Sequence, residues 1–240
     1  MSIYKQKTKG KTFDLLYDKK CFIPTGTSDF IINSCLNNFS SANNLLDLGC
    51  GIGVVGLTLY HFIKVNNLYS SDISIDAINY CKINSKDQSI INDVRLGTLF
   101  EPWGNKKFDL IVNDISGISE DIANISPWFE FAPCNSGTDG IKLTKKIIEQ
   151  SQDHLSNNGC IVFPVISLSN HNKLLKYAKR KFKFLKKLSS NNWFLPDEMS
   201  EKHDVFLKGL RDKGVINYEE KFGKKICFTD IYMGNFNDEN

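Results

Sequence analysis

The chain of 240 residues predicts an α/β fold: a doubly wound, seven-stranded, mostly parallel sheet that ends in an antiparallel C-terminal hairpin. Three observations carry that expectation. Short, nearly continuous apolar runs alternate with segments of helical periodicity, as expected for parallel strands covered on both faces. A glycine-rich turn joins the first of these runs to the helix after it. Beyond residue 168 the alternation gives way to two longer strand-like stretches around a helical insert.

Residues 1–12 are polar and lysine-rich and lack the apolar stretch of a secretion signal. An apolar helix is expected over 30–39. Leu45, Leu46, Asp47 and Leu48 form the first strand, and Val54, Val55, Leu57, Thr58, Leu59 and Phe62 are the apolar residues of the next helix. A second strand over 68–71 closes on Asp72, with Ser74 as a good N-cap for the helix that runs to Asn84. Strands follow over 90–96, 108–112 and 160–166, with helices over 142–154 and 172–181. The last strands cover 184–195 and 218–232, enclose a helical insert at 196–213, and turn at Gly223, Lys224 and Lys225. One domain spans 1–240: a lead-in segment and helix (1–40), a core (41–168) and the C-terminal strands (169–240). Neither repeats nor low-complexity linkers interrupt it.

Composition narrows the classes. A formal charge of +3 argues neither for nor against a nucleic-acid partner. No apolar run approaches the ~20 residues a membrane helix needs. Seven cysteines, odd in number and without a C-x-x-C pair, point to reduced, mostly buried thiols in a cytoplasmic protein, with neither a disulfide framework nor a zinc site. The four histidines show no ligand spacing.

Gly49, Gly51 and Gly53 let the backbone adopt positive φ and approach a ligand, while the following helix points free N–H groups at it. Gly51-x-Gly53-x-x-Gly56 taken alone also fits a nicotinamide or flavin dinucleotide loop. Asp47 tilts the choice, because a carboxylate there repels a pyrophosphate and attracts a cation. Asp72 lies about twenty residues beyond the glycines, the spacing of a ribose-binding acid; the alternative is that it caps the next helix.

Asp47-x-Gly49-x-Gly51-x-Gly53 resembles the first motif of the class I S-adenosyl-L-methionine (SAM)-dependent methyltransferases. The resemblance implies SAM as the cofactor, with Gly49, Cys50, Gly51 and Gly53 beside its methionine part, Asp47 orienting that region, Asp72 on the ribose and Ile73 against the adenine. The stretch 21–29, containing Pro24 and Thr25, is similar to the lead-in of the small-domain group, which includes the release-factor glutamine methyltransferases and several RNA guanine methyltransferases. The stretch 97–102 is similar to that group's Gly-Asp-Leu-Phe segment. Its acid is Thr98 here, so the adenine contact falls to the Thr98 hydroxyl and the Leu99 main chain. Residues 136–140 resemble its Gly-x-x-Gly segment. The likeness spans roughly 13–168.

After the fourth strand the chain departs from that group. Val112-Asn113-Asp114-Ile115-Ser116-Gly117 keeps an acid at the Asn/Asp position of the Asn-Pro-Pro-Tyr segment but lacks both prolines and the stacking aromatic. This weakens the case for a glutamine amide or base amine, and the segment is closer to that of the ribosomal protein L11 methyltransferases, which act on protein amines. The extra helical domain of the release-factor enzymes does not fit into the forty residues before the glycine loop. Asp114 is the expected base or positioning acid, with Asn113 and Ser116 as catalytic neighbours and Asn113 also near the cofactor; the alternative makes Asp114 the cap of a helical turn over 116–123. Trp128, Phe129 and Phe131 fit a substrate wall and core packing equally well. His203 and Trp193 are further substrate contacts without support. The basic run over 173–187 has the spacing of a solvated face more than of an RNA-binding strip. The expected function is therefore methyl transfer from SAM to a nitrogen or oxygen of a protein, peptide or small-molecule acceptor. An RNA or DNA base methyltransferase is the first alternative, and a catalytically inactive SAM-binding partner protein the second.

Overall fold

The computed structural model describes residues 1–129 and 134–237. The first residues form a hairpin of β1 (Ser2–Thr8) and β2 (Lys11–Tyr17), where only a lead-in segment was expected. Sequence pattern misses it because the buried face of β1 carries Tyr4, Gln6 and Thr8 in place of aliphatic residues. Its turn, Lys9-Gly10, has φ of 45° and 78°, which matches the twist of a two-residue hairpin.

Eight further strands follow: β3 (Ser41–Leu48), β4 (Lys64–Asp72), β5 (Asn92–Leu96), β6 (Phe108–Asn113), β7 (Leu155–Ile166), β8 (Phe184–Phe194), the short β9 (Glu219–Lys221) and β10 (Lys224–Asn235). Seven lie in the order β5-β4-β3-β6-β7-β10-β8, and β9 adds a brief eighth pairing on β10. From β5 to β7 the pairs are parallel, whereas β10 runs antiparallel to both neighbours. The last turn is Phe222-Gly223, with φ of 53° and 71°, so Lys224 and Lys225 belong to the strand rather than the turn.

The helices are α1 (Gly26–Asn38), α2 (Val54–Phe62), α3 (Ile75–Asp87), α4 (Glu120–Ala123), α5 (Lys142–Ser151), α6 (His171–Lys181), α7 (Asp197–Lys202) and α8 (Asp204–Asp212). Strand residues alternate between the two faces, as the period of two requires. Leu45, Leu110, Val112 and Val162 pack with Ile31 and Ile32 of α1 and Val55 and Leu59 of α2. Leu46, Ile111, Ile161 and Phe163 pack with Ile147 and Ile148 of α5 and Leu174 of α6. A third cluster joins α4, α7 and α8 through Ile122, Met199, Leu207 and Leu210. Several boundaries differ from expectation: α1 begins at Gly26 rather than Phe30, β3 and β4 begin at Ser41 and Lys64, the insert divides into α7 and α8, and the strand expected over 218–232 divides into β9 and β10. Helix α5 stops at Ser151 and β7 starts at Leu155, because Leu155 pairs with Phe108 across a register shift and extends the strand backward. No helix among the described residues is long and apolar enough to cross a membrane.

Candidate active site

A cavity of about 800 Å³ opens over the carboxyl ends of the parallel strands, where the order reverses between β3 and β6. The glycine loop forms part of its wall. Gly49 and Cys50 both donate their N–H to the Ser71 carbonyl (2.9 and 3.0 Å), which ties the loop to β4. Gly49 and Gly51 have φ of 77° and 52°, a region that side chains strain to enter. A Cβ on Gly49 would overlap Ile115, whereas one on Gly51 would meet nothing. The first glycine is therefore needed for close packing, and the second leaves main chain facing open space.

Asp72 stands at the end of β4 on the cavity wall. Its Oδ2 accepts from Gly51 N (2.9 Å) and its Oδ1 from Ser74 N (2.8 Å), and burial raises its pKa. The Ser74 hydroxyl caps α3 by accepting from Ala77 N. Asp72 thus braces the loop, and each carboxylate oxygen keeps a further lone pair. Ile73 is 65 % exposed on the same wall. Leu99, also on the wall, is held at φ 53° with its side chain buried, so its main chain is turned by tertiary packing. Thr98 and Thr25 complete this side; Thr25 also caps α1 by accepting from Thr27 N.

Three expected cofactor residues lie off the wall. Asp47 is fully buried behind the loop, where its Oδ2 accepts from Gly56 N at 2.8 Å and its Oδ1 has no partner. Burial pushes its pKa up to about 7. Gly53 packs on Leu57 and Cys81, and Asn113 is buried with its Oδ1 accepting from Ile115 N at 3.0 Å. All three shape the site from beneath because each ends a strand or starts a helix under the loop.

Asp114 lines the cavity just past β6. Its Oδ2 accepts from the Ser28 hydroxyl of α1 at 2.6 Å. Desolvation pushes its carboxyl up to about 7, with Ser28 opposing the rise and the charge of Asp29 adding to it. It does not cap a helix. The next helix is α4, and its cap is Ser119, whose Oγ accepts from Asp121 N. Ser116 is on the wall, its Oγ 3.1 Å from Cys134 Sγ.

Other residues also reach the wall. Trp128, Phe129 and Trp193 line it together with Phe22; Phe131 lies outside the described residues, and His203 sits at the α7–α8 junction away from the cavity. Ser28 and Phe22 escaped sequence reasoning because no local pattern links them to residues about a hundred positions onward. Most of the basic run is far away. Because β8 is parallel to β7, Lys186 and Lys187 sit at its start, and Asn191 and Trp193 near its end border the cavity. All seven cysteines are free thiols, and among the described residues no group of three or more His, Cys, Asp or Glu could hold a metal ion.

Residues 25–114 match the family model described as methyltransferase small domain. The ribosomal protein uL3 glutamine methyltransferase of Francisella tularensis is 26% identical over 166 residues, covering 65% of this chain and 52% of its own. A release factor glutamine methyltransferase of Thermodesulfovibrio yellowstonii is 26% identical over 156 residues, covering 60% and 55%. The chain spans about half the length of these curated relatives. Among solved structures, a T. thermophilus 16S rRNA methyltransferase in complex with AdoMet and guanosine is similar with a TM-score of 0.59 at 11% identity, over 95% of this chain and 49% of that one.

Proposed function

We propose that this chain, folded as a class I SAM-dependent methyltransferase, transfers a methyl group from SAM to a nitrogen or oxygen of a protein, peptide or small-molecule acceptor. One observation carries the reading. A single cavity holds the glycine loop and Asp72 on one side and a partly desolvated Asp114 on the other. The chemistry of the donors suits the cofactor. Gly51 leaves main chain open to the methionine part, Asp72 can accept from two ribose hydroxyls, and Ile73 and Leu99 offer apolar surface to adenine with Thr98 beside them.

When bound, SAM supplies a methyl group already activated on a sulfonium, so the protein has mainly to position the acceptor and remove its proton. Asp114 does both. Its Oδ2 is fixed by Ser28, and with a pKa of about 7 its carboxyl exchanges a proton near neutral pH. Asn113 holds the backbone of Ile115 behind it, and Ile115 packs over Gly49, which joins acceptor side to cofactor side. Ile166, Leu168 and the aromatic residues exclude water from the acceptor. A base methyltransferase acting on RNA fits less well, because Lys186 and Lys187 lie at the far end of the sheet. Calorimetric titration with SAM and, separately, NADH is the test: SAM should bind and NADH should not, and the reverse would end the reading.

A further inference from the structure

Across the sheet the cavity changes character. Over β4 and β5 its wall combines main chain, the carboxyls of Asp72 and Asp76 and the aliphatic Ile73 and Leu99, and at β6 it presents Asp114. Beyond, over β7, β10 and β8, it turns apolar and aromatic. The strand order puts three strand spacings, about 14 Å, between the strand of Asp114 and that of Trp193.

Two ring pairs form this end. Trp128 and Trp193 meet nearly perpendicularly, with centroids 5.8 Å apart at 74°, and Phe22 leans on Phe129 at 5.1 Å. The Trp193 indole N–H is taken by Thr229 Oγ1 at 3.0 Å, so what remains to a ligand is ring surface rather than a donor. These rings come from three distant segments, whereas residues 114–117 just after Asn113 contribute no aromatic side chain.

Charge then selects the ligand. Among the described residues the one cationic side chain on the wall is the exposed Lys20, against the carboxyls of Asp72, Asp76 and Asp114. An anion is disfavoured there. An ammonium gains both from the carboxylate and from the negative faces of the rings.

Resting on the methyl-transfer reading, we propose that the acceptor is a small organic amine, bound as its ammonium with its apolar body against the Trp128–Trp193 and Phe22–Phe129 walls and its nitrogen toward Asp114. Ionised Asp114 takes one proton from the ammonium. The freed lone pair forms the new nitrogen–carbon bond, the sulfur–methyl bond breaks with its electron pair returning to sulfur, and the product leaves as a methylated ammonium.

The test uses the full chain saturated with S-adenosylhomocysteine, titrated calorimetrically with 5-phenylpentylamine, 5-phenylpentanamide and 5-phenylpentanoate, one frame in three charge states and long enough to reach from Asp114 toward the rings. The amine should bind about tenfold tighter than the amide, and the carboxylate more weakly still. Trp193→Leu and, as a second variant, Trp128→Leu should each weaken the amine about tenfold while leaving S-adenosylhomocysteine affinity unchanged. Equal binding of the three probes, binding of none, a preference for the amide, or displacement of the amine by an RNA oligonucleotide overturns the amine assignment alone. Failure of S-adenosylhomocysteine to bind overturns the methyl-transfer reading, and this proposal with it.

Discussion

The two ends of the cavity are built by different means. At the glycine end, apart from Thr25, the residues fall within a stretch of about fifty, at or just beyond strand ends, and the glycine loop's backbone makes part of the surface. At the aromatic end, Phe22, Trp128, Phe129 and Trp193 come from segments up to 171 positions apart, and side chains make the surface. A site assembled from local turns can be read from spacing. One assembled by folding remote segments together leaves no periodic trace. Asp114 stands between them, tied to α1 through Ser28 and to the glycine loop through Ile115.

The sharpest way to break this division is Asp72→Ala. Removing a charged acceptor from two ribose hydroxyls should cost about 3 kcal/mol, more than a hundredfold in SAM affinity by calorimetry, with the far-ultraviolet spectrum unchanged. Unchanged affinity would refute the ribose assignment. Next in size, Asp114→Asn should lower kcat about a hundredfold and spare SAM binding. The wild-type rate should rise with pH through about 7 as Asp114 ionises, and Ser28→Ala should move that rise to higher pH, since the lost hydrogen bond had favoured the ionised form. A rate profile unmoved by either change would separate Asp114 from the chemistry.

Gly49→Ala tests the seam between the ends. The new methyl enters a positive-φ position and overlaps Ile115, so the protein should lose about 2 kcal/mol in denaturant unfolding, and Ile115→Ala should recover part of it. The pH dependence of stability is expected to be smaller. Asp47 and Asp114 each hold a proton up to about 7 in the folded chain, against about 4 when unfolded. Their contribution is complete below about pH 4 and is lost as pH rises through about 7, so stability should decline over that window. The decline should flatten in Asp47→Asn, which keeps an acceptor for Gly56 N. The smallest effect belongs to the basic run. Reversing Lys179 and Lys186 together should leave turnover within about twofold, because exposed charges beyond a Debye length of ~10 Å are screened; a large loss would return RNA to consideration.

Much of this was legible beforehand. Leu45 to Val54, Asp72 and the apolar strands carry their own periodicity and turn chemistry, and they fall in the structure where spacing put them. The hairpin of β1 and β2 was not legible, since Tyr4, Gln6 and Thr8 bury a polar face, Gln6 donating to Asp29 at 2.7 Å. Asp47 is expected to orient the region of the methionine part, and the structure adds that it lies fully buried behind the glycine loop with its Oδ2 accepting from Gly56 N; sequence shows that an acid ends the strand but not which way its side chain points.

By itself, then, the chain determined strand order of appearance, the glycine turn and the acids that close its strands, since all of these follow from local backbone preference and hydrophobic period. Tertiary structure alone decided that Ser28 would grip Asp114, that four rings from distant segments would share one wall, and that the lysines of the basic run beyond Lys173 would sit toward the opposite end of the sheet. Those outcomes depend on which segments the sheet brings together, and that is a property of packing rather than of any short stretch of residues.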